Sequence, residues 1–281
     1  MVLLGSDTNF TAMPSIAPAG QAVNLVNLGS DPKKTIDFIS DLHLHASEPA
    51  TFAAWQHYMQ STPADAVFIL GDLFEVWVGD DVLSDDLSST AACFEDQCAQ
   101  VLGEAASRLP LFFMHGNRDF LVGQRLLDLC NMTLLTDPTV LVFQSSSDQR
   151  YLLSHGDALC IDDLDYMQFR QQVRSPEWQQ AFLAKPLAER QAIARGLRQQ
   201  SEAKKLVNTD YADVDTSAAL QWLQAANAMT LIHGHTHKPA THQLDAAHQR
   251  IVLSDWDASA TPPRAEVLRL SVRGLQRIPL L

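Results

Sequence analysis

Five short apolar segments of this chain each run into a stretch that contains aspartate, asparagine or histidine. The segments are residues 35–40, 66–70, 111–114, 151–153 and 229–232, and the polar stretches begin at residues 41, 71, 115, 154 and 233. Short apolar runs of this kind predict β-strands. Helices predicted at 49–61 and 93–108 lie between them, so strands and helices alternate as in layered α/β proteins. Because ligands collect beyond the carboxyl ends of such strands, the polar stretches predict one shared site.

Composition and charge narrow the possible partners. The chain has 281 residues, 46% of them hydrophobic, which suits a globular protein with a sizeable core. Its formal net charge of −13 opposes non-specific binding to nucleic acid or to an anionic bilayer. The net charge does not exclude a local basic patch. The 4 cysteines form no CxxC pair, which predicts reduced thiols and a cytosolic chain. We expect no transmembrane segment and no signal peptide, because no apolar run is long enough and the N-terminus lacks a basic stretch with an apolar block.

The pattern along the chain predicts a main domain, residues 34–281, with an extension and an insertion. Residues 1–33 are rich in Ser, Asn, Ala, Pro and Gly, and we expect a loosely held extension. Residues 160–226 show helical patterning, and within 166–205 eight basic residues accompany only three acidic ones. This insertion is either a lid with its own partner or a pair of amphipathic helices packed on the core. Strands predicted at 250–254, 265–271 and 275–279 would close a second sheet.

The polar stretches offer seven candidate metal ligands. They are Asp41, His43, Asp72, Asn117, His155, His235 and His237. Oxygen and imidazole donors together suit borderline divalent ions such as Mn²⁺, Fe²⁺ or Zn²⁺. Alternate side chains of a strand point to the same side, so His235 and His237 can meet adjacent ions if the strand continues that far. His233 is expected in the core or as support for a ligand, because all three histidines cannot face the same way.

Five motifs with these donors occur in a fixed order: Asp-x-His, Gly-Asp, Gly-Asn-x-Asp, His-Gly-Asp and Gly-His-Thr-His. In that order they resemble the calcineurin-like metallophosphoesterase superfamily over residues 36–260. The resemblance implies an α/β (α+β) fold, a β-sandwich flanked by helices, with the insertion capping the active site. It also implies two metal ions, with Asp72 bridging them. Ion A would be held by Asp41, His43, Asp72 and His237, and ion B by Asp72, Asn117, His155 and His235.

Arg118 departs from the superfamily pattern, which usually has histidine at this position. A histidine could protonate an alkoxide leaving group, whereas a guanidinium can only donate hydrogen bonds and neutralise charge. A phosphate leaving group, with a second pKa of about 6, needs little protonation at neutral pH. Arg118 therefore favours cleavage of a pyrophosphate over cleavage of an ordinary ester.

Longer strings around the motifs are similar to the UDP-2,3-diacylglucosamine diphosphatase family. The strings run from Asp41 to Leu44, Gly71 to Asp81, His115 to Leu121, His155 to Asp163 and His233 to Pro239. The resemblance implies Mn²⁺-dependent attack of water on the α-phosphorus of UDP-2,3-diacylglucosamine, which yields UMP and 2,3-diacylglucosamine 1-phosphate in lipid A biosynthesis. The insertion would hold the acyl chains. The protein would lie peripherally on the cytoplasmic face of the inner membrane, with no nucleic acid and no protein partner.

The same resemblance implies roles for individual residues. Asn117, Arg118 and His235 would be catalytic. Substrate contacts would come from Asn117, Arg118, Asp163, Ser201 and His235, and from Lys204 or Lys205. Glu75, Trp77, Asp80 and Asp81 would line or support the entrance, although Asp80 and Asp81 fit a solvated turn equally well. Two other functions stay open: hydrolysis of a soluble nucleotide conjugate by the same two ions, and a non-catalytic scaffold that binds protein.

Overall fold

The computed structural model describes residues 24–27, 34–85, 93–144, 148–207 and 213–281, and the side chains of residues 199–207 lie outside the description. The described residues form twelve strands and seven α-helices. The strands are β1 Asn24–Asn27, β2 Ile36–Ile39, β3 Ala66–Leu70, β4 Leu111–Met114, β5 Met132–Leu135, β6 Thr139–Gln144, β7 Asp148–Ser154, β8 Thr230–His233, β9 Ala240–Gln243, β10 Gln249–Val252, β11 Glu266–Ser271 and β12 Gly274–Pro279. The helices are α1 Pro49–Ser61, α2 Phe94–Ala106, α3 Gln124–Leu129, α4 Leu164–Val173, α5 Pro176–Leu183, α6 Leu187–Val207 and α7 Thr216–Ala226.

The strands form two sheets of six. The first has the order β12-β11-β2-β3-β4-β5, in which β2 to β5 are parallel and the β11-β12 hairpin is antiparallel to its neighbours. The second has the order β1-β6-β7-β8-β10-β9. Strand β1, part of the segment expected to be loosely held, pairs in parallel with β6 at the edge of this sheet. The rest of that segment, residues 1–23 and 28–33, lies outside the described residues.

The C-terminal strands correct one prediction from the sequence. We expected all three to close a second sheet, but only β10 joins it, beside β8. The other two, β11 and β12, extend the first sheet, because β11 pairs with β2. The second sheet is instead completed by β6, which the sequence analysis did not predict and which pairs with β7. The five motif strands are consequently divided between the sheets, with β2, β3 and β4 in the first and β7 and β8 in the second.

The side chains of each parallel strand alternate between two apolar layers. Phe38 and Phe68 face the second sheet and are buried together with Leu153 and Ile232 from that sheet. The neighbouring positions of β2, β3 and β4 point outward and are buried under α1 and α2, with Trp55 0% exposed. On the far side, α7 covers the outer face of the second sheet. Both faces of the central strands are thus buried, and the predicted β-sandwich flanked by helices is confirmed.

The insertion forms helices throughout its described residues, and we call α4, α5 and α6 the cap. Trp178 and Phe182 of α5 stack with their ring centres 4.7 Å apart, and Phe182 is buried in the core. Much of the apolar pattern read from the sequence is therefore used for packing on the core. Leu183 and Leu197, from the same pattern, remain 42% and 40% exposed. Among the described residues, no helix is both long and apolar enough to cross a bilayer.

Candidate metal centre

The polar stretches that follow the five motif strands meet at one edge of the sandwich. The carboxyl ends of β2, β3 and β4 are neighbours in one sheet, and those of β7 and β8 are neighbours in the other. Contacts between the two groups join them across the sandwich. The backbone N–H of His235 donates to Oδ2 of Asp41 over 2.9 Å, and Nδ1 of His155 lies 2.9 Å from the carbonyl oxygen of Leu70. The seven predicted ligands are therefore brought together.

One cluster of donors contains Asp41, His43 and His237. Nε2 of His237 lies 3.2 Å from Oδ1 of Asp41 and 3.2 Å from Nε2 of His43. The other oxygen of Asp41 accepts the hydroxyl of Ser40 over 2.6 Å, which fixes the carboxylate. At 3.2 Å the two imidazole nitrogens can share only one proton. At least one of them is therefore unprotonated and has a lone pair that can bind a cation.

A second cluster contains Asp72, Asn117, His155 and His235. Oδ1 of Asn117 lies 2.9 Å from Nε2 of His155 and 2.9 Å from Nδ1 of His235. Oδ2 of Asp72 lies 3.7 Å from Nε2 of His155 and 3.9 Å from Nε2 of His43. The same oxygen of Asp72 thus faces both clusters, which is the position that a bridging ligand requires.

The spacing of the donors fits divalent ions. Two ligands at right angles around an ion that is about 2.1 Å from each are about 3 Å apart, close to the shorter spacings within both clusters. The ligand atoms of Asp41, His43 and His237 lie within 4.8 Å of one another, and so do those of Asp41, Asp72 and His155. Carboxylate, amide and imidazole donors also match borderline metals. The residues present fit two ions, and the role of each ligand stays a prediction.

Electrostatics at the centre favour a cation. Burial would raise the pKa of Asp41, but its hydrogen bond with His237 and the nearby histidine charges hold it well below the usual value. Burial would lower the pKa of His155, yet the charges of Asp72 and Asp41 raise it to about 9. Burial and repulsion from His155 lower the pKa of His235 to about 4, so this ring is neutral and keeps a lone pair. The ionised carboxylates therefore create a negative potential that attracts a divalent cation.

His235 and His237 converge for a reason that differs from the predicted one. Strand β8 ends at His233, so alternation along a strand does not bring the two side chains together. Both residues instead have left-handed backbone conformations, with φ of 68° and 53°. His233 is buried apart from the clusters, where its Nδ1 lies 2.9 Å from the carbonyl oxygen of Gly234 and its Nε2 lies 3.3 Å from Arg250.

Asp119 ties two of the ligand loops together, a role that the sequence analysis did not assign. Its Oδ1 accepts the backbone N–H of Gly116 over 2.7 Å, and its Oδ2 accepts that of Leu73 over 2.7 Å. These donors flank Asn117 and Asp72, so one buried carboxylate fixes both loops. Gly116 is required here because a Cβ at this position would overlap the Asp72 side chain. The motif Gly-Asn-x-Asp could have indicated this role, since it places Asp119 two residues after the predicted ligand Asn117.

Glu75 lies between the metal cluster and two arginines. Its Oε2 is 3.1 Å from Nδ1 of His43, and its Oε1 is 3.5 Å from Nη1 of Arg118 and 3.3 Å from Nε of Arg198. Burial would raise the pKa of Glu75, but the close contact with His43 and the charge of Arg118 lower it to about 2. The backbone N–H of Arg118 also donates to Asp72 over 2.8 Å. Arg118 therefore lies at the edge of the centre with its guanidinium beside a fixed carboxylate.

Asp80 and Asp81 support neighbouring elements and do not form a simple solvated turn. Asp80 accepts the indole N–H of Trp77 and the backbone N–H of Gly123, over 2.9 and 2.8 Å. Asp81 pairs with Arg190 of α6. This short segment consequently connects the core to the cap.

The predicted substrate residues on the cap lie partly outside the description. Asp163 begins α4, and its carboxylate accepts the backbone N–H of Tyr166 over 3.0 Å. The Tyr166 ring centre lies 5.9 Å from that of His235, so this end of α4 adjoins the second cluster. The substrate role of Asp163 stays a prediction. Outside the described side chains lie Ser201, Lys204 and Lys205, whose backbone belongs to α6.

Helix α4 is attached to the centre by contacts that the sequence analysis missed. Nε of Arg170 donates to Asp157 over 2.8 Å, and the Tyr166 hydroxyl donates to the same carboxylate over 2.7 Å. Arg174 donates to the carbonyl oxygen of Gly116 over 2.8 Å. Nη2 of Arg174 also lies 3.6 Å from Oδ2 of Asp157. Arg170 and Arg174 are four residues apart, which is the signal that could have indicated this common acidic partner.

Comparison with known proteins places the chain in a family. Residues 34–239 match the calcineurin-like phosphoesterase family. A UDP-2,3-diacylglucosamine hydrolase of Chromobacterium violaceum is 46% identical over 87% of this chain and 98% of its own length. One of Ralstonia nicotianae is 41% identical over 91% of this chain and 95% of its own length. The chain belongs to the calcineurin-like phosphoesterases and, within them, to the family of these hydrolases. The chain is also similar to a solved archaeal phosphodiesterase, at 14% identity over 87% of this chain and 99% of the other, with a TM-score of 0.41.

Proposed function

We propose that the chain hydrolyses the pyrophosphate bond of UDP-2,3-diacylglucosamine and releases UMP and 2,3-diacylglucosamine 1-phosphate, a step of lipid A biosynthesis. One observation carries the proposal: the donors of a two-metal centre meet in a chain that is 46% identical to a UDP-2,3-diacylglucosamine hydrolase over 98% of that protein. The relative shares nearly its whole length with the chain, so the likeness covers the cap as well as the metal centre.

Two divalent ions are proposed to bind at the two donor clusters, and Mn²⁺ is the ion that the motif resemblance favours. Asp41, His43, Asp72 and His237 would hold one ion, and Asp72, Asn117, His155 and His235 the other. When bound, the ions would activate water for attack on the α-phosphorus and neutralise charge on the phosphoryl oxygens. The support for this division is the position of Asp72, whose Oδ2 lies 3.9 Å from His43 and 3.7 Å from His155.

Arg118 is proposed to bind the phosphoryl oxygens. Its guanidinium carries a permanent charge and can donate several hydrogen bonds at once. Glu75, whose Oε1 lies 3.5 Å away, keeps that guanidinium at the edge of the centre. Because the leaving group is a phosphate, it departs as an anion and requires no proton donor at this position. Asn117 and His235 would orient the substrate beside Arg118.

The cap is proposed to act as a lid within a single domain, residues 34–281, and to hold the acyl chains. Four apolar side chains of the cap remain exposed in part: Leu164 51%, Phe169 38%, Leu183 42% and Leu197 40%. Exposed apolar side chains together with arginines suit an acylated, anionic substrate and a membrane surface. We therefore place the protein peripherally on the cytoplasmic face of the inner membrane.

A turnover assay tests the function. With Mn²⁺, the protein should release UMP from UDP-2,3-diacylglucosamine much faster than from the deacylated analogue or from a soluble dinucleotide. Equal rates on the acylated and deacylated substrates would exclude the lipid assignment and favour hydrolysis of a soluble nucleotide conjugate. No release of UMP from either would exclude the proposed reaction itself.

A further inference from the structure

A groove of about 260 Å³ extends from the first donor cluster along the core. Its walls include His43, Glu75, Arg118 and His237 beside the centre, Arg198 of the cap, and Glu48, Thr51, Asp255, Asp257 and Arg264. The second cluster does not contribute to its walls, since Asn117, His155 and His235 are absent from the lining. The groove therefore leaves the centre on the flank of His43 and His237.

On the other flank, beside the second cluster, the centre adjoins helix α4 of the cap, while Arg198 of α6 lies on the groove side. Helix α4 approaches the second cluster through Tyr166, whose ring centre lies 5.9 Å from that of His235. Arg174, which directly follows this helix, contacts the loop before Asn117 through the carbonyl oxygen of Gly116. The centre thus lies between helix α4 on one side and a groove lined mainly by polar side chains on the other.

The two flanks differ in what they can bind. An acyl chain in the groove would remove the carboxylate of Glu48 from water without giving it a partner and would cover the ion pairs of Arg264 with Asp255 and Asp257, which is unfavourable. A nucleoside offers hydroxyl groups and a planar base, both of which suit polar walls. Since the proposed substrate has an acylated sugar on one side of its pyrophosphate and a nucleoside on the other, its two halves match the two flanks.

We infer that the groove binds the nucleoside half of the substrate, with Glu48 accepting the ribose hydroxyls. This inference rests on the proposed function. Glu48 precedes α1, is exposed, and makes no capping hydrogen bond with that helix, so its carboxylate is available in the groove. A carboxylate is a common acceptor for the hydroxyls of a bound ribose.

Arg264 supplies a flat surface for the base. Its Nε and Nη2 lie 3.1 and 2.9 Å from the two oxygens of Asp255, and Nη2 lies 3.3 Å from Asp257. Held along one edge by these carboxylates, the guanidinium keeps a fixed plane on which a base can stack. Glu48 would thus contact the ribose of the nucleoside, and Arg264 would contact its base.

The test compares UMP with 2′,3′-dideoxy-UMP as inhibitors of the Mn²⁺-loaded protein. Glu48→Gln should raise the inhibition constant of UMP about tenfold, since a hydrogen bond to a charged group is lost. It should leave that of the dideoxy nucleotide nearly unchanged, because no hydroxyl is present to lose its acceptor. Inhibition by 2,3-diacylglucosamine 1-phosphate, which binds on the cap side, should also be unchanged.

Glu104→Gln is the matched control, because Glu104 is an exposed glutamate on α2 and lines no part of the groove. It should leave all three inhibition constants at their original values. The inference is overturned if Glu48→Gln weakens UMP and dideoxy-UMP equally, or weakens neither. Release of UMP by the unmodified protein tests the proposed function separately, so failure of the groove assignment and failure of the reaction are distinguishable.

Discussion

Arg190 anchors the cap to the core, and its replacement by methionine tests whether that attachment serves substrate binding. The side chain is 1% exposed although it carries a charge. Its guanidinium donates to the carbonyl oxygens of Val78 and of Lys185 and pairs with Asp81. Arg190→Met keeps most of the apolar stem and its packing, so the variant removes the polar contacts selectively.

The structure sets the size of the expected effect. The carbonyl oxygens of Val78 and Lys185 lose a donor, and each buried acceptor left unsatisfied costs about 1–3 kcal/mol. Asp81 contributes little, because it is 58% exposed and regains water. We expect the free energy of unfolding to fall by about 2–6 kcal/mol for the two acceptors together. A loss of about 1 kcal/mol from cap attachment would also raise KM about fivefold.

Urea unfolding and two substrates measure these effects. KM for UDP-2,3-diacylglucosamine should rise in Arg190→Met, whereas hydrolysis of a small chromogenic phosphodiester, which does not reach the cap, should be unaffected. Arg195→Met is the control, because Arg195 is exposed on the same helix. The reasoning is refuted if Arg190→Met leaves both stability and KM unchanged, or if Arg195→Met has the same effect.

Three further substitutions test the centre and the core. His155→Ala should lower kcat about 100-fold or more with the circular dichroism spectrum retained, since a proposed metal ligand is lost; normal turnover would remove His155 from the proposed ligand set. Gly116→Ala should lower kcat and weaken activation by Mn²⁺, because the new Cβ displaces Asp72; an unchanged Mn²⁺ titration would contradict this. Arg269→Met should destabilise the protein by about 3–5 kcal/mol in urea, because Asp37 is 0% exposed and loses its bidentate partner; a smaller loss than in an exposed-arginine variant would show that the pair matters little.

The sequence reveals the central strands more readily than the edges of the sheets. β3 and β4 are buried on both faces and read as continuous apolar runs, and β2 departs from this only at the buried Asp37. β9 has the sequence Ala-Thr-His-Gln and alternates partly buried with exposed side chains at an edge, so its hydrophobicity gives no signal. The division of strands between sheets depends on pairs such as Leu268 with Phe38, which are distant in sequence. Local patterns do not specify such pairs.

The same distinction applies to the site and the cap. The seven donors could be proposed because each follows an apolar strand within a few residues, and strand ends meet at a sheet edge. For the cap, periodicity predicts an apolar face but not what that face contacts. The sequence therefore left open whether the insertion binds a partner or packs on the core, and the structure packs its Trp178 and Phe182 on the core. Contacts of α4 with Asp157 depend on the docked position of the helix, which no local motif encodes.

Positive backbone φ angles explain why local conformational propensity does not predict the loops of the metal centre. Seven non-glycine residues in the described part of the chain have positive φ, and five of them are predicted ligands: Asp41, His43, Asp72, His235 and His237. Such conformations cost about 1–2 kcal/mol per residue, so propensity predicts against them. Neighbouring loops hold them in place, because the N–H groups of Asp41 and His43 donate to the carbonyl oxygens of Gly71 and Asp72 over 3.1 and 3.0 Å. The sandwich below therefore supplies the stability that lets these loops turn their side chains toward common points, and the strain is concentrated where the donors converge.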